Sequence, residues 1–79
     1  MDIRNEICKI FVENNVSEEQ IDDETLLREV GINSLSFIKI AVEIENRFNV
    51  SFPEEKLLLD EFDNFRSLLD YVSELIKSK

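Results

Sequence analysis

The chain has few of the residues that carry most catalytic and metal-binding chemistry. It contains no histidine, and only one glycine, one proline and one cysteine among 79 residues. Without histidine a Ser-His-Asp triad cannot form. The single cysteine, Cys8, can form neither an intramolecular disulfide nor a thiolate metal cage. Nothing therefore indicates an oxidising compartment, and we expect a cytoplasmic protein.

Long hydrophobic segments are also missing. The longest wholly apolar runs span only a few residues, such as 57–59, whereas a helix needs about 20 apolar residues to cross a bilayer. The first 15 residues lack the basic start, apolar run and cleavage site of a signal peptide. We expect no membrane span and no export.

The start at Met1 and the end in KSK lead us to expect a complete small protein, although excision from a larger synthase stays open.

Positive charge is scarce. Nine basic residues stand against 18 acidic ones, which gives a net charge of -9. This charge repels nucleic-acid phosphates and anionic membranes, so it argues against both as partners and favours basic proteins. The acidic cluster between Glu18 and Glu24 lacks the alternating ligands and the glycine of a calcium loop. We therefore predict a solvated surface there and no metal site.

Apolar residues recur at helical spacing in several segments. We predict a single all-α domain over residues 1–79, a four-helix bundle of three main helices and a short third helix. A long loop from Asn14 to Asn33 separates helices one and two. The segments predicted to be helical are one that begins after the cap Asp2 and is ended by ENN, SLSFIKIAVEIENRF after the N-cap Asn33, PEEKLLLDEF from Pro53, and FRSLLDYVSELIKSK after a cap at Asp63 or Asn64.

The second predicted helix has an unusual distribution of apolar residues. At about 100° per residue its apolar positions cover well over half of the circumference. The polar strip consists of Ser36, Lys39, Glu43, Asn46 and Arg47. Such a helix must be central to the bundle or must offer apolar surface to a partner.

Ser34 lies at the start of this helix, three residues after the only glycine, Gly31. Glycine accommodates the tight turn that a chain needs before it enters a helix. The free N-H groups and the positive dipole end of the first turn would stabilise a phosphate ester on Ser34. Alternatively, Ser34 is only a favourable helix-start residue. A hydrolytic nucleophile of the Ser-His-Asp type is excluded, because there is no histidine, and Gly31 to Ser36 does not make a G-x-S-x-G elbow.

The sequence resembles the acyl carrier protein family over nearly its whole length. The resemblance rests on GINSLSFIKIAVEIENRF, preceded by DDETLLREV and followed by NVSFPEEKL and NFRSLLDYV. It implies that Ser34 carries 4'-phosphopantetheine, transferred from coenzyme A by a separate magnesium-dependent transferase. The thiol of this arm would hold an acyl or aminoacyl group as a thioester, so the chain itself would have no catalytic residues.

The resemblance also implies partners: a phosphopantetheinyl transferase, an acyl- or aminoacyl-loading ligase, and synthase or transferase enzymes. We expect a monomer that docks through the second helix. Leu35 is similar to the family's docking residue, with a place in the core as the alternative, and Phe37 is either an anchor or a core residue. The residues predicted to dock partners are Asn33, Leu35, Phe37, Ile38, Lys39 and Glu45.

Two departures from the family pattern bear on the pathway. Asn33 stands where aspartate is usual, and the polar strip of the second helix is nearly neutral rather than acidic. Both weaken electrostatic steering and favour docking through apolar and polar contacts. We therefore expect a carrier of polyketide, nonribosomal peptide or other fatty-acid-like biosynthesis. The segment IENRF is also similar to carriers of D-alanine, and an unmodified helical interaction module stays an alternative.

The cargo cannot be predicted from the residues. Carriers of this kind would hold or present an attached chain through the apolar interior beside the second helix. The sequence leaves open whether Ile40, Ala41 and Ile44 border a cavity there.

Overall fold

The computed structural model describes residues 2–78, which form three α-helices and no β-strand. The helices are α1 (Ile3–Glu13), α2 (Ser34–Phe48) and α3 (Phe65–Lys77). Each begins after a residue whose side-chain oxygen accepts a hydrogen bond from a backbone N-H three residues later; these caps are Asp2, Asn33 and Asn64. None of these helices is both long and apolar enough to cross a bilayer. The all-α bundle with three main helices is confirmed. The last helix ends at Lys77 with Ser78 as its C-cap, short of the predicted end, and Lys79 lies outside the described residues.

The short third helix differs from the prediction in its type. Residues of PEEKLLLDEF form two 3-10 turns, Glu54–Leu57 and Leu59–Glu61, instead of one α-helix. Leu58 between them is extended, with φ -93° and ψ 131°. This extended residue lets Leu57 and Leu59 both pack on the core while Leu58 is exposed. Apolar side chains two positions apart share a side only in extended backbone, which an unbroken helix would not provide.

Most of the core comes from one side of each helix, and the connecting segments supply the rest. Phe11 of α1 and Phe65 of α3 meet edge to face, with ring centroids 5.3 Å apart. No polar or charged residue in the described part of the chain is buried. Buried residues of the helices are Ile7, Ile10, Phe11, Phe37, Ile40, Ala41, Ile44, Phe48, Phe65, Leu68 and Val72. Since α2 contributes five of them, it is the central helix, as its broad apolar surface predicted.

The long loop between α1 and α2 is held in place at several points. Its buried anchors are Val16, Leu27, Val30 and Ile32. The carboxylate of Asp23 pairs with Arg4 of α1 at 3.1 Å and with Arg66 of α3 at 3.9 Å. The Phe65 N-H donates to the carbonyl of Thr25 at 3.0 Å. These contacts fix the position of the loop against α1 and α3, and thereby the position at which α2 begins.

Gly31 makes the turn into α2. Its φ is +86°, a left-handed conformation that side chains rarely adopt. A Cβ built on Gly31 would meet no atom within 4 Å. Glycine is therefore required because of the backbone conformation at this position, and not because a larger side chain would collide with its neighbours.

Replacing Gly31 should therefore destabilise the fold through backbone strain alone. We expect Gly31→Ala to lower the free energy of unfolding by about 1 to 2 kcal/mol. Gly31→Asn should lose less, because asparagine tolerates left-handed backbone better than alanine does. Urea unfolding followed by circular dichroism measures both. Equal losses in the two variants would show that the conformation at this position does not limit stability.

Candidate functional site

The first turn of α2 presents an exposed hydroxyl. Ser34 is the first residue of this 15-residue helix, and its side chain is exposed. The Oδ1 of Asn33 accepts the Ser36 N-H at 2.8 Å, which satisfies one of the N-H groups that have no partner within the helix. The Ser34 hydroxyl therefore lies in solvent at the positive end of a capped helix. A phosphate ester there would fit sterically and electrostatically.

Three apolar side chains of α2 face solvent along one side of the helix. Leu35 is 66% exposed, Ile38 40% and Val42 42%. Their spacing of three and four residues places them on one face, beginning next to Ser34; we call them the apolar stripe. The alternative that Leu35 is a core residue is wrong. Val42 was not among the predicted docking residues, although its spacing from Leu35 and Ile38 could have indicated it.

Two of the predicted docking residues are less accessible than Leu35 and Ile38. The Phe37 side chain is fully buried, with its ring centroid 5.8 Å from that of Phe62. Glu45 is half-buried, and its Oε2 accepts the Phe52 N-H at 2.6 Å. Phe37 faces the core because its ring fills the space beneath the segment after α2, and Glu45 is held by that segment's backbone. Phe37 is therefore a core residue and not an anchor, whereas docking through Glu45 stays a prediction.

The polar strip of α2 is divided between two environments. Arg47 pairs with Glu6 at 3.8 Å and with Glu13 at 3.6 Å, both on α1. Glu43 accepts a hydrogen bond of 3.4 Å from Asn14 at the end of α1. Lys39, by contrast, is exposed and forms no ion pair within residues 2–78. The surface next to Ser34 is therefore apolar, with one free positive charge.

Aromatic rings pack beneath the first turns of α2. The ring of Phe62 lies 5.8 Å from Phe37, 6.4 Å from Phe52 and 5.5 Å from Tyr71, measured between centroids. Phe52 and Tyr71 meet edge to face at 5.4 Å. We call these four residues the ring cluster. Lys56 Nζ lies 6.0 Å from the Phe62 centroid and 5.6 Å from that of Tyr71, so its ammonium group covers the outer side of the cluster.

A surface groove of about 370 Å³ lies on α1, away from these elements. It is lined by Cys8 and Val12 together with the polar residues Asn5, Lys9, Glu13 and Glu18. Burial raises the pKa of the half-buried Cys8 thiol, although Arg4 opposes the effect. A raised pKa lowers the thiolate fraction and hence the nucleophilicity of the thiol at neutral pH. The raised pKa therefore argues against a reactive thiol in this groove.

Comparison with known proteins supplies the class to which this geometry belongs. The family model described as "phosphopantetheine attachment site" matches residues 3–72. An acyl carrier protein homolog of Ureaplasma parvum is 31% identical over 98% of this chain and 97% of its own. The D-alanyl carrier protein of Streptococcus mutans is 28% identical over 95% and 96% of the two chains.

A solved structure shares the fold. It is the hexanoyl form of the acyl carrier protein from the actinorhodin polyketide synthase of Streptomyces coelicolor, with a TM-score of 0.76 and 20% identity. The match covers 94% of this chain and 90% of that one. These similarities define a carrier protein whose prosthetic group is a covalently attached 4'-phosphopantetheine. The chain belongs to the acyl carrier protein family, which confirms the resemblance seen in its sequence.

The cap beside Ser34 can be tested by substitution. Asn33→Ala removes the acceptor for the Ser36 N-H and should cost about 1 kcal/mol of unfolding free energy. Asn33→Asp keeps the acceptor and adds negative charge at the positive end of the helix, so this variant should be at least as stable as the wild type. Urea unfolding measures both, with Asn64→Ala at the α3 cap as the matched control. If Asn33→Ala unfolds at the same urea concentration as the wild type, the Asn33 cap does not stabilise the protein.

Proposed function

We propose that the chain is a non-catalytic carrier whose 4'-phosphopantetheine arm is attached to Ser34. The observation that carries this proposal is the exposed Ser34 hydroxyl at the capped, positive end of α2, within the region matched by the family model. The thiol of the bound arm supplies the thioester that holds an acyl or aminoacyl group. The protein's own residues provide the attachment point and the surface that partner enzymes recognise.

The attachment would be performed by an external enzyme, as the membership of the carrier family implies. In the proposed reaction the Ser34 Oγ attacks the pantetheine-bearing phosphorus of coenzyme A. The new Oγ-P bond replaces the P-O bond to the other phosphate, 3',5'-ADP leaves, and the serine proton passes to the transferase. Asn33 keeps the cap but lacks the negative charge of aspartate, so the transferase must tolerate a neutral residue there.

The attachment is tested by intact mass. The purified chain is incubated with coenzyme A, magnesium and a broad-specificity phosphopantetheinyl transferase, beside Ser34→Ala and Ser36→Ala as a matched control. We expect a gain of one phosphopantetheine on the wild type and on Ser36→Ala, and none on Ser34→Ala. If the wild type gains nothing while a known carrier is modified in the same reaction, the arm is not attached and an unmodified helical interaction module becomes the favoured function.

The apolar stripe and Lys39 form the surface that we propose for docking partners, with Asn33 at its edge. Leu35 and Ile38 are exposed side chains next to Ser34, and apolar anchors of this kind supply much of the energy of protein interfaces. Because the proposed surface carries the positive charge of Lys39, it favours an apolar patch with acidic groups at its edge over the basic surface expected from the net charge of -9.

Substitutions on this surface should slow modification without unfolding the protein. We expect Leu35→Ala and Ile38→Ala each to lower kcat/KM of the transferase reaction about tenfold, which corresponds to about 1.4 kcal/mol. Val12→Ala on α1, 43% exposed, is the matched control and should leave the rate unchanged. Unfolding curves should coincide with that of the wild type. Wild-type rates for both α2 variants would exclude the stripe as the surface used by the transferase.

The proposal covers the chain as one carrier domain, residues 1–79, acting as a cytoplasmic monomer. Its partners would be the transferase, a loading ligase, and the synthases or transferases of polyketide, nonribosomal peptide or fatty-acid-like biosynthesis. The similarity in fold to a carrier of a polyketide synthase supports this choice. A D-alanyl carrier for cell-wall polymers is the second candidate, supported by the 28% identity to such a protein over nearly the full length of both chains.

A further inference from the structure

We propose that the cargo of this carrier stays outside the helical bundle and is therefore a short or polar acyl or aminoacyl group, not a long aliphatic chain. The inference rests on the proposed attachment at Ser34. It comes from the ring cluster, which fills the part of the core that an attached chain would enter first.

The core begins one helical turn after Ser34 along α2. Phe37 is the first buried residue of α2, three positions after Ser34, and its side chain is fully buried. Phe62 lies against it at 5.8 Å, and both Phe52 and Phe62 are 6% exposed. A chain that passes from Ser34 into the interior beside α2 would have to displace these rings.

The ring cluster makes further contacts on its other sides, although a small groove of about 200 Å³, lined mainly by the polar residues Arg28, Asp60 and Asp63, lies beside Phe62. Tyr71 of α3 contacts both Phe52 and Phe62, so the rings bridge α2, the segment after it and α3. Lys56 lies over Phe62 and Tyr71 and pairs with Glu61 at 3.3 Å. Each ring therefore has neighbours on more than one side, and moving one ring breaks several contacts.

Deeper along α2 the core is closed. Ile40, Ala41 and Ile44 each have zero exposure, so they border other protein atoms and not a channel open to solvent. Protein interiors are packed as densely as organic crystals, and adding methylenes to a filled core strains side chains and backbone. A long aliphatic cargo would thus be left in water at the end of the arm, where its exposed surface is unfavourable. Short and polar groups do not have this cost.

The test loads the full chain with cargo of increasing length. The transferase is given acetyl-, hexanoyl- or decanoyl-coenzyme A, so that the complete acyl arm is attached to Ser34, and intact mass verifies each product. Thermal unfolding and the NMR shifts of the ring-cluster protons are then recorded. We expect Tm to agree within about 1 °C among the three forms and the ring shifts to be unchanged. A buried chain would instead raise Tm by about 3 to 6 °C per methylene enclosed.

A variant with a smaller ring-cluster side chain tests the cause. Phe62→Leu opens space in the cluster, so its decanoyl form should melt at a higher temperature than its acetyl form; Leu58→Ala, at an exposed position of the same segment, should behave as the wild type. If Phe62→Leu does not fold, Tyr71→Leu takes its place.

The outcomes separate this inference from the proposed function. Absence of any mass gain overturns the attachment at Ser34. Normal mass gain with a Tm that rises with chain length in the wild type overturns the inference alone. A flat response in both the wild type and the folded ring-cluster variant shows that the rings do not exclude the chain, and overturns the inference as well.

Discussion

Burial of α2 is the interaction on which the other features depend. This helix gives five side chains to the core, including the fully buried Phe37, Ile40, Ala41 and Ile44, while α1, α3 and the segment after α2 supply the surrounding apolar groups. A domain of this size has little surface to bury, so it can spare few of these contacts. The rigid axis of α2 holds its first turn at the surface, and the left-handed turn at Gly31 brings the chain to it.

The apolar residues of α2 are divided between the core and the exposed surface of the helix. The core takes the side of α2 that includes Phe37, whereas Leu35 and Ile38 remain in water at a cost in free energy. A carrier must be recognised by several enzymes in turn, and the proposed docking surface next to Ser34 would allow this without a permanent complex. Ion pairs from Arg47 to α1 tie the far end of the helix to the bundle, whereas the exposed apolar residues lie nearer its Ser34 end.

Much of this arrangement could be predicted from the sequence because it depends on local signals. The caps Asp2, Asn33 and Asn64 and the spacing of isoleucine, leucine and phenylalanine place all three helices. The failures arise where tertiary packing overrides local pattern. Leucines 57–59 appear helical in isolation, yet the extended Leu58 lets two of them reach the core. Phe37 lies on the same predicted helix as Leu35, and only the position of the segment after α2 decides that it faces inward.

The ring cluster also has an optical consequence. The chain contains no tryptophan and a single tyrosine, and that tyrosine is Tyr71, packed edge to face against Phe52. All tyrosine emission of the protein therefore originates in this layer of packed rings. Fluorescence intensity and anisotropy report directly on the order of this layer, in any complex whose partner is itself free of fluorescent residues. The protein thus carries a label-free probe of changes in the packing of the ring cluster.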